Sequence, residues 1–289
     1  MIDELRHFVL IAEIGNFTRA AKRAHLSQPA LTASIKRLEA QLGARLLERG
    51  RTGASTTAAG DALLPFARAA LAAVEAGQRA VAEIEGLHRG EVRLAAGATA
   101  CTYLLPEVLA RYRAAHPDIR FLLRESTTDE ALDALHAGDI DIAVVSGADG
   151  EPWFVDELIV VASPEFRARD LERGPFVAFR RGSTSRTLLD DAFPNAEIVM
   201  ELGSIATVKG NVRAGIGLAL VSRHAVVRDL AEGSLVRVRT PSTPIERPLE
   251  LVHLGADRLP PAAAALRKLL LSPRGRPARR PRAARERPG

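Results

Sequence analysis

Polar, small and basic side chains are concentrated between Thr18 and Arg37, and their types suit contacts with DNA. The amide of Gln28 and the hydroxyl of Ser34 belong to the groups that hydrogen-bond base edges in the major groove. The basic residues suit phosphates, which add affinity but carry no sequence information. The predicted contact residues are Thr18, Arg19, Lys22, Ser27, Gln28, Pro29, Ala30, Thr32, Ser34, Lys36 and Arg37.

Three short helices are predicted to position these residues. Apolar residues at helical spacing indicate a first helix over 5–14, which ends at Gly15. Thr18 stands where the N-cap of a second helix would be, and Ser27 caps a third with Pro29 in its first turn. The residues predicted to be buried along the third helix are Leu31, Ile35, Leu38 and Leu42.

The break before Ser27 indicates the turn of a helix-turn-helix, which sets a recognition helix at an angle to its supporting helix. A basic, glycine-rich segment over 49–53 follows and indicates a wing. Its Arg49 and Arg51 are predicted to reach the DNA backbone or a narrow minor groove. The alternative is a plain helical bundle with a solvated basic face.

Residues 57–88 are predicted to form one long helix with a narrow apolar stripe. Such a stripe suits a coiled-coil seam between two copies better than a globular core. Pro65 should bend the helix or lie in its first turn. The alternative is a helix that packs on its own chain. The stripe consists of Leu63, Phe66, Ala70, Val74, Gly77, Val81 and Ile84.

Strand and helix patterns alternate from Glu91 onward. The segments "EVRLAAG", "IRFLLRE" and "DIDIAVV" indicate strands, with helices predicted over 103–115 and over the stretch "TTDEALDALHAG". A second alternation follows, through "PFVAF", "EIVMEL" and "IGLALVS". Two α/β lobes with parallel strands are therefore predicted, joined by crossing strands near 158–162 and 249–254.

Composition and charge narrow the class of protein. The 289 residues carry a net charge of +5, and a basic head and a basic tail flank an acidic body. A polyanion is therefore expected to engage the ends. No apolar run approaches the roughly 18 residues of a membrane-spanning helix, and no signal-peptide pattern opens the chain. With Cys101 as its single cysteine, the chain is expected in the cytoplasm and away from membranes.

Hydroxyl groups follow several predicted strands where a helix begins. In two-lobed α/β proteins, small molecules bind at the carboxyl ends of strands, and helix N-termini favour anions. We expect a small anionic ligand there, although each hydroxyl taken singly is better explained as an N-cap. The predicted ligand-binding residues are Thr99, Ala100, Thr102, Thr127, Thr128, Ser146, Ser183, Ser185, Arg186, Gly203 and Ser204.

Enzymatic motifs are not recognisable. The histidines lack metal-ligand spacing, and Ser183 and Ser185 lie in no Gly-x-Ser-x-Gly motif. Cys101 is better explained by packing than by redox sensing. No catalytic residue, metal or cofactor is predicted.

The segment "FVLIAEIGNFTRAAKRAHLSQPALTASIKRLEAQLGARLLERG…TTAAG" resembles the N-terminal domain of LysR-type bacterial transcriptional regulators, with Ser34 where that family usually has Gln. The segments "ALDALHAGDIDIAVV" and "ELGSIATVKGNVRAGIGLALVS" resemble its effector domain, which has a periplasmic-binding-protein-like fold. The resemblance implies an α/β protein with an N-terminal winged helix-turn-helix that is all-α with a wing. A long linker helix and a two-lobed effector domain follow.

The expected boundaries are 1–60 for the winged helix-turn-helix and 57–88 for the linker and dimerisation helix. The effector domain is expected over 91–272, with lobe I at 91–160 and 250–272 and lobe II at 161–249. A disordered basic tail is expected over 273–289.

The favoured hypothesis is a sequence-specific transcriptional regulator, not an enzyme, whose partners are double-stranded DNA, a small anionic effector and itself as a dimer or tetramer. One alternative is an α/β enzyme that acts on a small molecule and carries a DNA-binding head. Another is a ligand-independent nucleoid protein, which would bind DNA without sequence preference.

Overall fold

The structure is a computed structural model that describes residues 1–50, 53–84, 90–167 and 173–277. These residues fall into two compact units, an N-terminal one that ends with a long helix and a C-terminal one that begins with a strand. In the described part of the chain, no helix has the length and apolar character needed to cross a membrane.

Three helices open the N-terminal unit, namely α1 (Ile2–Ile14), α2 (Phe17–Arg23) and α3 (Gln28–Leu42). Gly15 ends α1 in the left-handed conformation, as predicted. Ser27 caps α3 by accepting a hydrogen bond from the Ala30 amide, which confirms the third helix start. The second N-cap prediction is wrong.

Asn16, and not Thr18, caps α2. Its side-chain oxygen accepts a hydrogen bond from the Arg19 amide, so the helix begins two residues earlier than the sequence indicated. Both residue types are good N-caps, and the chain uses the one that lies directly after Gly15. Thr18 is therefore an exposed residue of the first turn of α2.

The wing is an antiparallel pair, β1 (Leu47–Gly50) and β2 (Gly53–Thr56). It is attached to the first helix end by a hydrogen bond of 2.7 Å from the Ala54 amide to the Gly15 carbonyl. A Cβ at residue 53 would lie 2.2 Å from that same carbonyl oxygen, so only glycine allows this approach. The predicted winged helix-turn-helix is confirmed.

The head has a small apolar core in which α1, α2, α3 and the start of β1 meet. Leu42 is an exception to the predicted stripe because it is the last residue of α3 and is half exposed. The buried core residues are Leu5, Phe8, Ile11, Ala20, Ala21, Leu31, Ile35, Leu38, Leu46, Leu47 and Ala67.

The long helix α4 (Ala58–Ile84) is one continuous element with Pro65 inside it, not in its first turn. Residues 85–88 of the predicted helix lie outside the described residues. The stripe divides between two environments. Leu63 and Ala70 pack on the head core of the same chain, as the alternative reading held, whereas Phe66 is 73% exposed and Val81 is also exposed.

The C-terminal unit alternates strands and helices as predicted. Its first half contains β3 (Glu91–Ala96), α5 (Leu105–Ala115), β4 (Arg120–Glu125), α6 (Thr128–Ala137), β5 (Ile142–Val145) and β6 (Glu151–Ala162). Its second half contains β7 (Pro175–Phe179), α7 (Thr184–Ala192), β8 (Glu197–Leu202), α8 (Ile205–Arg213), β9 (Ala219–Ser222), α9 (Val227–Glu232), β10 (Val236–Val238), β11 (Ile245–Val252) and α10 (Pro261–Leu271). A π-helical turn, Ala100–Leu104, precedes α5.

Strand pairing defines two lobes. In lobe I, β3 lies between β4 and β5 and runs parallel to both. In lobe II, β7 and β8 are parallel to each other, while β9 and β10 pair with the second half of β6. The carboxyl ends of β3, β4 and β5 lie at one edge of the lobe I sheet, which is where small molecules bind in such folds.

The strands that join the lobes are β6 and β11, which run antiparallel along most of their lengths. Residues 158–161 of β6 already pair with β9 in lobe II, and residues 250–252 of β11 pair with β5 in lobe I. The crossing lies between these two pairings, where Asp156 stands opposite Arg247. It is therefore earlier along both strands than the sequence indicated.

The first residues of the expected basic tail, up to residue 277, are described, and they begin with a short turn. A 3₁₀ turn spans Pro273–Gly275, and the Trp153 indole donates a 3.0 Å hydrogen bond to the Gly275 carbonyl. Residues 278–289 lie outside the described residues.

Candidate DNA-binding surface and interlobe cavity

The recognition helix α3 presents most of the predicted contact residues to solvent. Gln28 and Lys36 are exposed, and so is Arg37, whose guanidinium is 3.3 Å from the Glu4 carboxylate. Thr32 is half-buried. The exposed members of the predicted set are Thr18, Arg19, Lys22, Ser27, Gln28, Pro29, Ala30, Lys36 and Arg37.

Ser34 is the exception, and its predicted base contact is wrong. Its side chain is 2% exposed, and its hydroxyl lies 2.8 Å from Nδ1 of His7 on α1. Desolvation at this position lowers the pKa of His7 below its ordinary value. Position 34 lies between Leu31 and Leu38 on the apolar stripe, so helical spacing contained the signal for burial.

Two of the predicted DNA contacts, Arg49 and Arg51, belong to the predicted wing. Arg49 belongs to β1, while Arg51 lies outside the described residues. The contacts predicted for these two arginines stay predictions.

A cavity of about 120 Å³ lies between the two lobes of the C-terminal unit. That volume holds a ligand of roughly ten non-hydrogen atoms, on the scale where one water needs about 10–15 Å³. The predicted residues that line it are Thr99, Ala100, Thr127, Thr128, Ser146, Ser183, Ser185 and Gly203. Strand ends of lobe I and the start of α7 in lobe II therefore meet here, as the sequence indicated.

Three predicted residues lie outside the cavity lining: Thr102, Ser204 and Arg186. Thr102 belongs to the π-helical turn before α5, and its side chain is exposed there. Ser204 caps α8, where its hydroxyl accepts a hydrogen bond from the Thr207 amide. Its two neighbours, Gly203 and Ile205, line the cavity in its place.

Arg186 is buried in lobe II and is neutralised there. Its Nε donates to Asp190 at 2.8 Å and its Nη1 donates to Glu201, also at 2.8 Å. The hydrogen bond to Asp190, followed by that to Glu201, raises the pKa of this guanidinium above its ordinary value. Arg186 therefore links α7 to β8 through these two ion pairs and is not free to bind a ligand.

Arg247 supplies a buried positive charge in the cavity wall, although no local sequence pattern near residue 247 indicates this role. Its Nη1 donates to the Ser185 hydroxyl at 2.9 Å and its Nη2 donates to Asp156 at 2.6 Å. Asp156 also accepts hydrogen bonds from the Ser222 hydroxyl at 2.8 Å and from His224 Nδ1 at 3.1 Å.

Charge neutralisation stabilises the buried carboxylate of Asp156. Burial alone would raise its pKa, but the hydrogen bond from His224 and the nearby Arg247 outweigh that effect and lower the pKa. The result is a buried ionic network at the point where the two strands cross between the lobes.

Other chemistry-bearing groups are accounted for by structure. The Cys101 thiol donates to the Ala96 carbonyl at 3.3 Å, and desolvation raises the pKa of Cys101 to about 11. Within the described ranges, no cluster of three or more His, Cys, Asp or Glu side chains could hold a metal ion.

A winged helix-turn-helix with an exposed basic recognition helix, followed by two α/β lobes around a small cavity, defines a DNA-binding regulator with a ligand-binding domain. Residues 2–61 match the family described as "Bacterial regulatory helix-turn-helix protein, lysR family", and residues 85–272 match "LysR substrate binding domain". The chain belongs to the LysR family of transcriptional regulators.

Individual relatives agree with this assignment. The chain is 30% identical to the HTH-type transcriptional regulator CfxR of Cupriavidus necator, over 93% of this chain and 90% of that protein. It is similar to full-length CbnR in complex with its target DNA, with a TM-score of 0.63 and 25% identity over 93% of this chain and 98% of that one.

The fold also matches the regulatory domain of CcmR from Synechocystis PCC6803 in complex with 2-PG. The TM-score is 0.57, with 21% identity over 63% of this chain and 95% of that domain. Family membership makes the chain a regulator of transcription and not an enzyme.

Proposed function

We propose that this transcriptional regulator responds to a small anionic metabolite bound in the interlobe cavity. The cavity carries this proposal because its wall combines the start of α7, the end of β4 and the buried guanidinium of Arg247. Helix N-termini and a guanidinium both favour negative charge. The volume of about 120 Å³ limits the ligand to a compact organic acid, a phosphate ester or an inorganic oxyanion.

The 2-PG ligand of the CcmR regulatory domain makes that compound a suitable first candidate. At 21% identity the similarity establishes the fold alone, so 2-PG enters as one member of a panel.

We infer that DNA is read by the exposed face of α3. Gln28, at the start of that helix, would contact a base edge, while Lys36 and Arg37 would contact phosphates. Arg49 and Arg51 of the wing would add backbone or minor-groove contacts. In this arrangement Ser34 supports the helix from inside.

We propose that the winged helix-turn-helix, the linker helix and the effector domain have the boundaries expected from sequence. The two lobes of the effector domain would meet near Asp156 and Arg247, where β6 and β11 cross. The exposed Phe66 and Val81 of α4 suit a second copy of the chain, so we propose a dimer, and a tetramer through further contacts. Because the protein must reach DNA, we expect it in the cytoplasm.

Calorimetry on the full chain tests the anion proposal. The panel contains 2-PG, inorganic phosphate, sulfate and succinate, with glycerol and arginine as neutral and cationic controls. We expect binding by at least one anion and by neither control. Binding by a control compound alone would contradict the proposed charge of the cavity.

Footprinting of DNA upstream of neighbouring genes, with and without the bound anion, then tests the coupling. We expect protection of two half-sites and a change in the protected region when the anion is present. Protection without sequence preference would favour the nucleoid protein, and chemical turnover of a panel compound would favour the enzyme.

A further inference from the structure

Two buried polar groups in the cavity wall lack an internal hydrogen-bond partner. They are Nε of Arg247, whose residue is 6% exposed, and the hydroxyl oxygen of Ser126, whose residue is 7% exposed. Both residues line the interlobe cavity. Ser126 follows β4 in lobe I, and Arg247 lies on the crossing strand β11.

Leaving such groups unpaired is costly. A buried donor without a partner destabilises the folded state, and more so when the group is charged. Most buried polar groups in folded proteins therefore have partners, and an unpaired one at a cavity wall marks a place where a ligand can supply the missing acceptor. Two such groups on one cavity wall point to one ligand that satisfies both.

The surroundings of Arg247 fix its guanidinium in place. Asp156 accepts a hydrogen bond from Nη2 and the Ser185 hydroxyl accepts one from Nη1, whereas Nε has no partner within the described residues. Asp156 is itself held by Ser222 and His224 and cannot turn away. The guanidinium is thus pre-oriented, which reduces the entropy lost when a ligand binds.

The two buried arginines of the C-terminal unit, Arg247 and Arg186, differ in the number of carboxylates that they contact. The Asp156 carboxylate is shared among Ser222, His224 and Arg247, whereas Arg186 has two carboxylates of its own. Of these two buried arginines in the C-terminal unit, only Arg247 lines the cavity.

We propose that Arg247 and Ser126 together bind the anionic group of the effector, Arg247 through Nε and Ser126 through its hydroxyl. The inference rests on the proposed anionic effector and assigns its recognition to these two residues. The matching chemical class is a carboxylate or phosphate, since either offers several acceptor oxygens on one group. The serine hydroxyl and the guanidinium N–H groups are both donors, so a ligand that offers only donors would leave Arg247 unpaired.

Single substitutions at these two positions, measured by calorimetry on the full chain, test the assignment. The probes are 2-PG and inorganic phosphate, together with sulfate and succinate. We expect Arg247→Gln to weaken the strongest-binding probe at least tenfold, Arg247→Lys to weaken it less because the charge remains, and Ser126→Ala to weaken it severalfold.

Matched controls separate recognition from folding. Arg186→Gln removes an equally buried arginine outside the cavity, and Ser204→Ala removes a hydroxyl that only caps α8. Both should leave the affinity for the probe within about twofold of the wild type. Because Arg247→Gln leaves Asp156 buried without its cation, the double variant Asp156→Asn/Arg247→Gln provides a second version that removes both charges.

The outcomes distinguish the two proposals. A wild type that binds none of the anions overturns the anionic effector, and this inference with it. A wild type that binds an anion as tightly as correctly folded Arg247→Lys and Ser126→Ala overturns this inference alone. Equal losses in Arg186→Gln and Arg247→Gln would likewise show that burial, and not position in the cavity, decides the effect.

Discussion

Replacing Ser34 by alanine should destabilise the DNA-binding head without changing which bases it reads. The Ser34 hydroxyl is buried and lies 2.8 Å from His7 Nδ1. Its removal leaves a partly buried ring nitrogen unpaired, which costs about 1–3 kcal/mol. His7 retains some access to water, so the lower end of that range applies. The better helix propensity of alanine returns a few tenths of a kcal/mol, so a net loss of about 1 kcal/mol is expected.

Thermal unfolding and a gel-shift assay measure the two effects separately. For a domain of this size, about 1 kcal/mol lowers the unfolding midpoint by about 4–8 °C. The exposed neighbour Ala33 offers a matched control, because Ala33→Ser changes helix propensity and leaves the buried contact intact. It should shift the midpoint only slightly. Preference among variants of the DNA site should be the same for Ser34→Ala and the wild type.

The same contact predicts a pH dependence of stability. Burial lowers the pKa of His7 below 6.5, so the unfolded chain binds more protons than the folded head just below that value. The free energy of unfolding should therefore fall as the pH decreases from about 6.5 through the lowered pKa of folded His7. An unchanged unfolding midpoint in Ser34→Ala, combined with an altered base preference, would refute this reasoning and place Ser34 in the groove.

Three further predictions concern DNA, assembly and the thiol. Gln28→Ala should weaken the cognate site by about 1–3 kcal/mol in competition gel-shifts, whereas Lys36→Ala should weaken all sequences and reduce the salt slope by about 1. Loss of equal size on random DNA would contradict the role of Gln28. Val81→Glu should reduce the mass seen by light scattering and abolish the footprint, with the C-terminal unit still folded by circular dichroism. Cys101, with its pKa raised to about 11, should react slowly with a disulfide reagent at pH 7, and peroxide should leave DNA binding unchanged.

Features set by local sequence were predicted correctly because their causes lie within a few residues. Ser27 and Pro29 define the start of α3 through a side-chain cap and a missing N–H. Gly15 ends α1 because it adopts a positive φ at little cost. The choice between Asn16 and Thr18 could not be settled in this way, because both are good caps and the tertiary path decides between them.

Features set by tertiary contacts could not be predicted from sequence. The row of hydroxyl residues before Arg186 indicates a ligand site, yet Asp190 and Glu201 neutralise this arginine. Arg247 lies far along the chain from the lining residues predicted from sequence, and the pairing of β11 with β6 brings it to the cavity. The pairing of distant strands leaves no pattern near residue 247 itself.

The same distinction explains why hydroxyl groups at helix starts overstate a ligand site. Ser183 accepts from the Arg186 amide and donates to the Arg180 carbonyl, so its single O–H donor is already used. The Thr128 hydroxyl donates to the Ser146 carbonyl, and Thr127 forms a reciprocal pair with Glu130. Such residues shape the cavity and orient the backbone. Affinity for a ligand depends instead on donors that the fold leaves unpaired, because only these gain a hydrogen bond without losing one.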